Sequence, residues 1–342
     1  MKAQVLYGVN DLRFEENYRA PSLNENEALV KVKACGICGS DVNRVLKNGT
    51  YNFPTIIGHE FSGVVENVAD KANEAWIGKA VSVFPLIPCK KCDSCMKGDY
   101  QLCEHYNYLG SRCDGGFAEY VAVPVWNLIK IPNGIPFEQA AMLEPASVAL
   151  HALKISGNLV GKKIAVLGTG TISTIIAQIL SISGCEEFCI LGRNSEKLQF
   201  IKRIINSANV HDSNTDLSSY ENYFDVVIEG TGASEMVGKS FYLCKRKGVV
   251  VAMGNPIGDI NISQKDYWQI MRKELSVRGT WNSSYGISDR NDWKNIFSFL
   301  QNKKLDFSNL ITHRLALKDL LNGILLMKNK TEMSNKVMVI YE

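Results

Sequence analysis

Between residues 160 and 281, short apolar runs alternate with helix-length amphipathic stretches. KKIAVLGTGTISTIIAQILSISG (162–184) reads as a strand, a glycine turn and a helix. EFCILGR (187–193), FDVVIEGTG (224–232), GVVVAMGNP (248–256) and LSVRGTW (275–281) predict four more strands. Strands alternating with helices make an α/β, doubly wound parallel sheet of the Rossmann type, here spanning 148–284.

The first turn of that pattern carries chemistry. Gly168-Thr169-Gly170-Thr171-Ile172-Ser173 is a G-x-G-x-x-G fingerprint whose last glycine has become serine. Gly168 permits the tight turn, Gly170 lets the backbone approach a pyrophosphate at the helix start, and a small serine still allows the helix to pack. At the end of the second strand, where an acid selects the ribose of NAD, the chain has Gly192-Arg193. With no acid to repel a 2′-phosphate and a guanidinium to bind one, NADP is the favoured cofactor, with NAD as the alternative in which Arg193 stacks on adenine. Lys197, on the next predicted helix, joins the candidate cofactor contacts together with Thr171 and Ile172.

A second pattern concerns a charge in an apolar place. In GIPFEQAAMLEPASVALHALK (134–154), Glu144 stands among small and apolar residues, which is costly unless it is paired, protonated or bound to a metal. Upstream, Cys38, His59 and Glu60 supply partners, since a catalytic zinc takes three protein ligands and keeps one position open. Cys38, His59 and Glu144 form the expected set; Glu60 either ligates directly or orients a ligand. Four further cysteines, Cys89, Cys92, Cys95 and Cys103, are spaced x2, x2 and x7 in a polar loop. That is a closed structural zinc cage; an iron–sulfur run needs an x3 last gap followed by proline. Cys35, Cys113, Cys185, Cys189 and Cys244 are read as small buried hydrophobes.

Composition narrows the class. The 342 residues, 46% of them hydrophobic, suffice for two domains with full cores. The net charge of +3 is dispersed, and Lys245-Arg246-Lys247 is too short to be a nucleic-acid face and reads as a solvated turn. No run is long enough for a membrane helix and no signal-peptide core is present, so neither a membrane nor a nucleic acid is an expected partner. Ten cysteines clustered for metal rather than disulfides fit the cytoplasm.

Through CGICGSDVNRVLKNG (35–49), GHEFSG (58–63), VFPLIPCKKCDSCMKG (83–98), GSRCDGGFAEY (110–120), EPASVALHA (144–152) and MRKELSVRGTWN (271–282), the sequence resembles the zinc-containing medium-chain alcohol and polyol dehydrogenases over essentially its whole length. The resemblance implies a β-rich, GroES-like catalytic domain from residues 1–147, completed by 285–342. It implies one catalytic and one structural zinc on the ligands named above, a proton-relay hydroxyl at Ser40, and Thr280, Trp281 and Asn282 close to the nicotinamide. It further implies hydride transfer between a polyol or polyol-phosphate alcohol and the cofactor, in a homodimer or homotetramer. Ser173 and Gly192 depart from the family's pattern, and Gly192 puts its usual NAD preference in doubt. If the substrate carries a phosphate, Arg44 and Arg112 are the candidates to meet it. An unphosphorylated polyol such as sorbitol, or threonine, is the alternative substrate. A non-catalytic NADP-binding sensor is the alternative of another class, and it has no need of an open metal site.

Overall fold

The computed structural model describes residues 1–286 and 291–342; residues 287–290 of the expected C-terminal segment lie outside the described residues. The chain divides into two compact units, residues 1–145 with 284–342, and residues 146–283.

The first unit is built around strand Glu27–Gly36, whose residues alternate between buried and half-exposed: Ala28, Val30, Val32 and Ala34 point inward while Glu27, Lys31 and Lys33 point out. This period of two is what a one-sided β-surface demands. The strand pairs antiparallel with Glu60–Val68, with Tyr120–Pro124 and with the last strand, Lys336–Ile340. The full sheet has seven strands, ordered Leu128–Lys130, Ala80–Val83, Glu60–Val68, Glu27–Gly36, Lys336–Ile340 and Ile311–Leu315, with Tyr120–Pro124 off this path. Val30, Val32, Ile37, Ile57, Phe61, Phe117 and Val337 meet in its core, each at most 1% exposed.

The second unit is the expected doubly wound sheet. Six parallel strands run in the order Asn209–Asp212, Glu187–Gly192, Lys163–Leu167, Phe224–Glu229, Cys244–Ala252 and Ser276–Gly279. The strand Asn209–Asp212 was not anticipated, because it is only four residues long, three of them polar (NVHD), and sits at the sheet edge with little burial. Lys245-Arg246-Lys247 is not a turn: it belongs to strand Cys244–Ala252, where the register slips against Phe224–Glu229 and Lys247 takes a positive φ of 58°. Its side chains are exposed, and Lys245 pairs with Asp225. Cys35, Cys189 and Cys244 are buried as small hydrophobes, whereas Cys113 and Cys185 are only half-buried.

Candidate active site and metal centres

The first unit gathers three predicted residues at one point. Strand Glu27–Gly36 delivers Cys38, which caps the short helix Gly39–Asn43, and strand Glu60–Val68 begins at Glu60 directly after His59. The ligand atoms of Cys38, His59 and Glu60 lie within 4.8 Å of one another. Gly36 makes room for this: it pairs with Glu60 in register, and a β-carbon there would stand 2.3 Å from Glu60 Oε2. Glu60 lies across that space and accepts a 2.5 Å hydrogen bond from Lys336 Nζ, which also donates to Ile37 O at 3.2 Å.

Asp41, fully buried, ties the ligands together. Its carboxylate accepts from the Cys38 N–H at 3.0 Å and from Arg44 Nη1 at 2.9 Å. Its Oδ1 faces His59 Nδ1 at 3.4 Å, ion-pair distance rather than a formed hydrogen bond. Burial opposes charge on His59, but the Asp41 carboxylate and the Cys38 sulfur outweigh it and hold the pKa well above the usual histidine value. Thiolate, imidazole and carboxylate at mutual ligand distances are the donors zinc takes, so the set fits a zinc ion.

Glu144, at the start of helix Leu143–Ser156, falls outside that tight group. It is 8% exposed and accepts a 3.3 Å hydrogen bond from the Tyr108 hydroxyl, while Tyr108 stands edge-on to His59 at a centroid distance of 5.8 Å. Burial pushes its carboxyl up to about 7, with His59 opposing and Glu60 reinforcing the rise.

The two arginines have different surroundings. Arg44 Nη1 donates to Ser40 Oγ at 2.8 Å as well as to Asp41. Arg112 lies between two rings, its guanidinium carbon 4.3 Å from the Tyr51 centroid and 4.4 Å from that of Tyr106, and it makes no ion pair among the described residues. Tyr106 in turn packs edge-on against Tyr108.

The four-cysteine loop closes on itself. Cys89, Cys92, Cys95 and Cys103 bring their sulfurs within 4.8 Å, with Cys89 to Cys95 at 4.0 Å and Cys92 to Cys103 at 3.9 Å. Sulfurs roughly 2.3 Å from a tetrahedral zinc stand about 3.8 Å apart, so this set fits too. The N–H groups of Cys89 and Cys92 already point at Cys103 and Cys89 sulfurs, at 3.2 and 3.4 Å, as they would to stabilise thiolates.

Residues 24–133 match the model of the alcohol dehydrogenase GroES-like domain, and residues 171–302 that of the zinc-binding dehydrogenases. Galactitol 1-phosphate 5-dehydrogenase of Escherichia coli K12 is 31% identical over 90% of this chain and 91% of its own length. The chain belongs to the zinc-containing medium-chain alcohol dehydrogenases. It is thus an oxidoreductase of the NAD(P)-dependent kind, with a GroES-like unit and a Rossmann unit. The crystal structure of galactitol-1-phosphate dehydrogenase from Escherichia coli superposes with a TM-score of 0.92 at 29% identity, covering 100% of both chains. L-threonine 3-dehydrogenase of Photobacterium profundum is 29% identical over 94% of each chain. Among the described residues no helix is long and apolar enough to cross a membrane.

In this dehydrogenase the predicted cofactor residues sit on the second unit. Gly168 and Gly170 form the turn before helix Thr171–Leu180, at the carboxyl end of strand Lys163–Leu167, next to the point where the strand order reverses. Thr171 and Ile172 open that helix. Gly192 ends its strand buried; Arg193 is exposed, and Lys197 lies in the first turn of helix Ser195–Ile204, its N–H capped by Asn194 at 2.8 Å. Thr280, Trp281 and Asn282 follow strand Ser276–Gly279; the Thr280 hydroxyl is buried without a hydrogen-bond partner among the described residues, and Trp281 is 52% exposed. Asp41, Tyr108 and Lys336 were not anticipated. Asp41 had a signal, an acid three residues after the Cys38 helix cap. Lys336 had one as well, a lysine leading the apolar strand KVMVI. Tyr108 had none.

Proposed function

We propose that this dehydrogenase interconverts a sugar-alcohol phosphate and its ketone, galactitol 1-phosphate and tagatose 6-phosphate, with NADP as favoured cofactor and NAD as the alternative. The observation that carries the substrate reading is Arg112: a guanidinium held between Tyr51 and Tyr106, with no carboxylate paired to it among the described residues, is prepared for an anionic group of the substrate. Arg44 is engaged by Asp41 and Ser40, which favours a positioning role for it. The identity to a galactitol 1-phosphate dehydrogenase supports the same substrate.

Cys38, His59 and a carboxylate would hold the catalytic zinc. Glu60 is the carboxylate inside the 4.8 Å group; Glu144, close enough to feel the charges of His59 and Glu60, is the other candidate ligand. Cys89, Cys92, Cys95 and Cys103 would hold the structural ion. Bound zinc would supply Lewis-acid polarisation of the substrate oxygen, and bound nicotinamide a hydride acceptor. Asp41 faces the Nδ1 side of His59 at ion-pair distance, which favours Nε2 for ligation. Ser40 Oγ accepts from Arg44, so its lone hydrogen is free to be passed on as it takes up the substrate's hydroxyl proton. Arg112 fixes the far end of the substrate, so the reacting carbon is presented in one register. Oxidation thus releases one proton and one hydride, and the ketone remains. The buried, unpartnered Thr280 hydroxyl supports a contact with the nicotinamide carboxamide.

None of the ten cysteines is paired in a disulfide and five are read as metal ligands, which suits a reducing compartment such as the cytoplasm. A homodimer or homotetramer is supported by the exposed edge strand Ser276–Gly279 and by the exposed Tyr267, Trp268 and Met271 on helix Gln264–Lys273. The deciding experiment is steady-state oxidation of galactitol 1-phosphate, sorbitol and threonine by the zinc-loaded protein, each with NAD and NADP. A kcat/KM for the phosphate well above the other two supports the proposal. Equal or faster turnover of sorbitol or threonine overturns it, and a lead for NAD overturns the cofactor preference.

A further inference from the structure

In the second unit, Thr169 lies over Gly192. A β-carbon on Gly192 would stand 2.3 Å from Thr169 Cγ2, yet 3.5 Å from both Thr169 Cβ and Oγ1. The first distance is not tolerated and the others are ordinary contacts. One methyl group must therefore shift before a side chain can occupy position 192.

That methyl cannot easily leave. Threonine is β-branched and stiff about χ1. Thr169 also lies inside the glycine turn, where Gly168 N donates to Leu191 O at 2.8 Å and Gly170 O accepts from Thr174 N and Thr174 Oγ1, both at 3.0 Å. Gly192 is equally fixed: its carbonyl accepts from Ser213 N at 3.0 Å, and it pairs in register with Asp212. Relief by backbone movement on either side would disturb the turn that cradles a pyrophosphate.

We infer that Thr169 and Gly192 act as a coupled pair that sets which nicotinamide dinucleotide the chain accepts. The inference rests on the reading that this turn binds the dinucleotide with its adenosine ribose beside Arg193. An acid that selects NAD needs its β-carbon at position 192, in the space the Thr169 methyl fills. The neighbouring carboxylates do not replace it: Asp212 Oδ1 accepts from Asn214 N at 2.9 Å, and Glu235 is paired with Lys239 at 2.7 Å. Preference therefore resides in two positions. Gly192→Asp alone sets a negative charge against a 2′-phosphate without placing it properly at a ribose hydroxyl, whereas Thr169→Ala opens the space the new carboxylate needs.

The test is direct binding of NAD and NADP by calorimetry to the zinc-loaded wild type, T169A, G192D and the double variant. T169A gives the reference affinities for both dinucleotides in the cycle, and G192D should weaken NADP by about tenfold or more relative to the wild type without tightening NAD. The double variant should bind NAD about tenfold tighter than G192D does. A G192D protein that gains NAD as fully as the double variant overturns the coupling. A second cycle, G192A against T169A, is read from melting temperatures without cofactor. G192A should lower the melting temperature and T169A should restore most of the loss; strictly additive shifts overturn the contact. A wild type that binds NAD more tightly than NADP overturns the 2′-phosphate reading and the direction of selectivity, while the alanine cycle still decides whether the pair is coupled.

Discussion

Lys336, from the last strand of the chain, holds Glu60 at 2.5 Å, and neither side chain is more than 3% exposed. Burial alone would push the ammonium towards neutrality, but the charges of Glu60, Cys38 and Glu144 outweigh it and raise its pKa. Lys336→Met leaves Glu60 buried and unpaired, which should cost about 3–5 kcal/mol. If Glu60 stands at the metal, a bound dication compensates part of that loss. The destabilisation should then be larger in chelator-treated than in zinc-loaded protein, measured by thermal melts of both forms. Equal losses would place Glu60 away from the ion.

Asp41 touches Cys38, His59 and Arg44 but holds no ligand position of its own. Asp41→Asn keeps the volume and removes the charge that faces His59. Orienting carboxylates of this kind are worth about 10–100-fold in metal affinity. Competition with a chromophoric chelator should show one zinc per chain released that much more readily, while the ion at Cys89, Cys92, Cys95 and Cys103 is retained. Loss of both ions together would mean the substitution unfolds the unit.

Much of this was legible in the sequence, for reasons that differ by site. The cysteine loop was readable because all four ligands lie within fifteen residues, so spacing alone fixes the cage. The Rossmann unit was readable from its apolar strands and glycine turn, except for Asn209–Asp212, whose polar edge position erases the signal. The second metal site was half legible. Cys38, His59 and Glu60 carry recognisable chemistry, but which carboxylate lies nearest depends on Gly36 facing Glu60 across two strands, a matter of register. Position 192 was read for its missing acid; that Thr169 also demands a glycine there appears only when the turn is folded against the second strand.

Arg112 and Arg44 separate by kinetics. Arg112→Ala should raise KM for galactitol 1-phosphate about tenfold or more, the scale of a lost charge-assisted contact, and leave sorbitol oxidation nearly unchanged. Arg44→Ala frees both Ser40 and Asp41, so it should lower kcat for either substrate alike. A loss confined to the phosphorylated substrate in the Arg44 variant, with none in the Arg112 variant, would exchange the two roles.

Asp225 gives the second unit a predictable pH dependence. It accepts from the Lys163 N–H at 3.0 Å and pairs with Lys245 and, at 3.6 Å, with Lys162. Burial raises its pKa, but these partners outweigh burial and hold the carboxyl below its ordinary value. An unfolded aspartate titrates near about 3.9, so the unfolded chain binds the proton first as pH falls. The stabilisation is therefore fully present above the unfolded pKa and is lost as pH drops through the lower folded value. Asp225→Asn should cost on the order of 1 kcal/mol at neutral pH, because the lysine partners are partly solvated. The gap between wild-type and variant melting temperatures should be constant from about pH 7 to pH 5 and should narrow below about pH 4. A gap that stays constant into acid would show that the carboxyl is not depressed by its lysine partners.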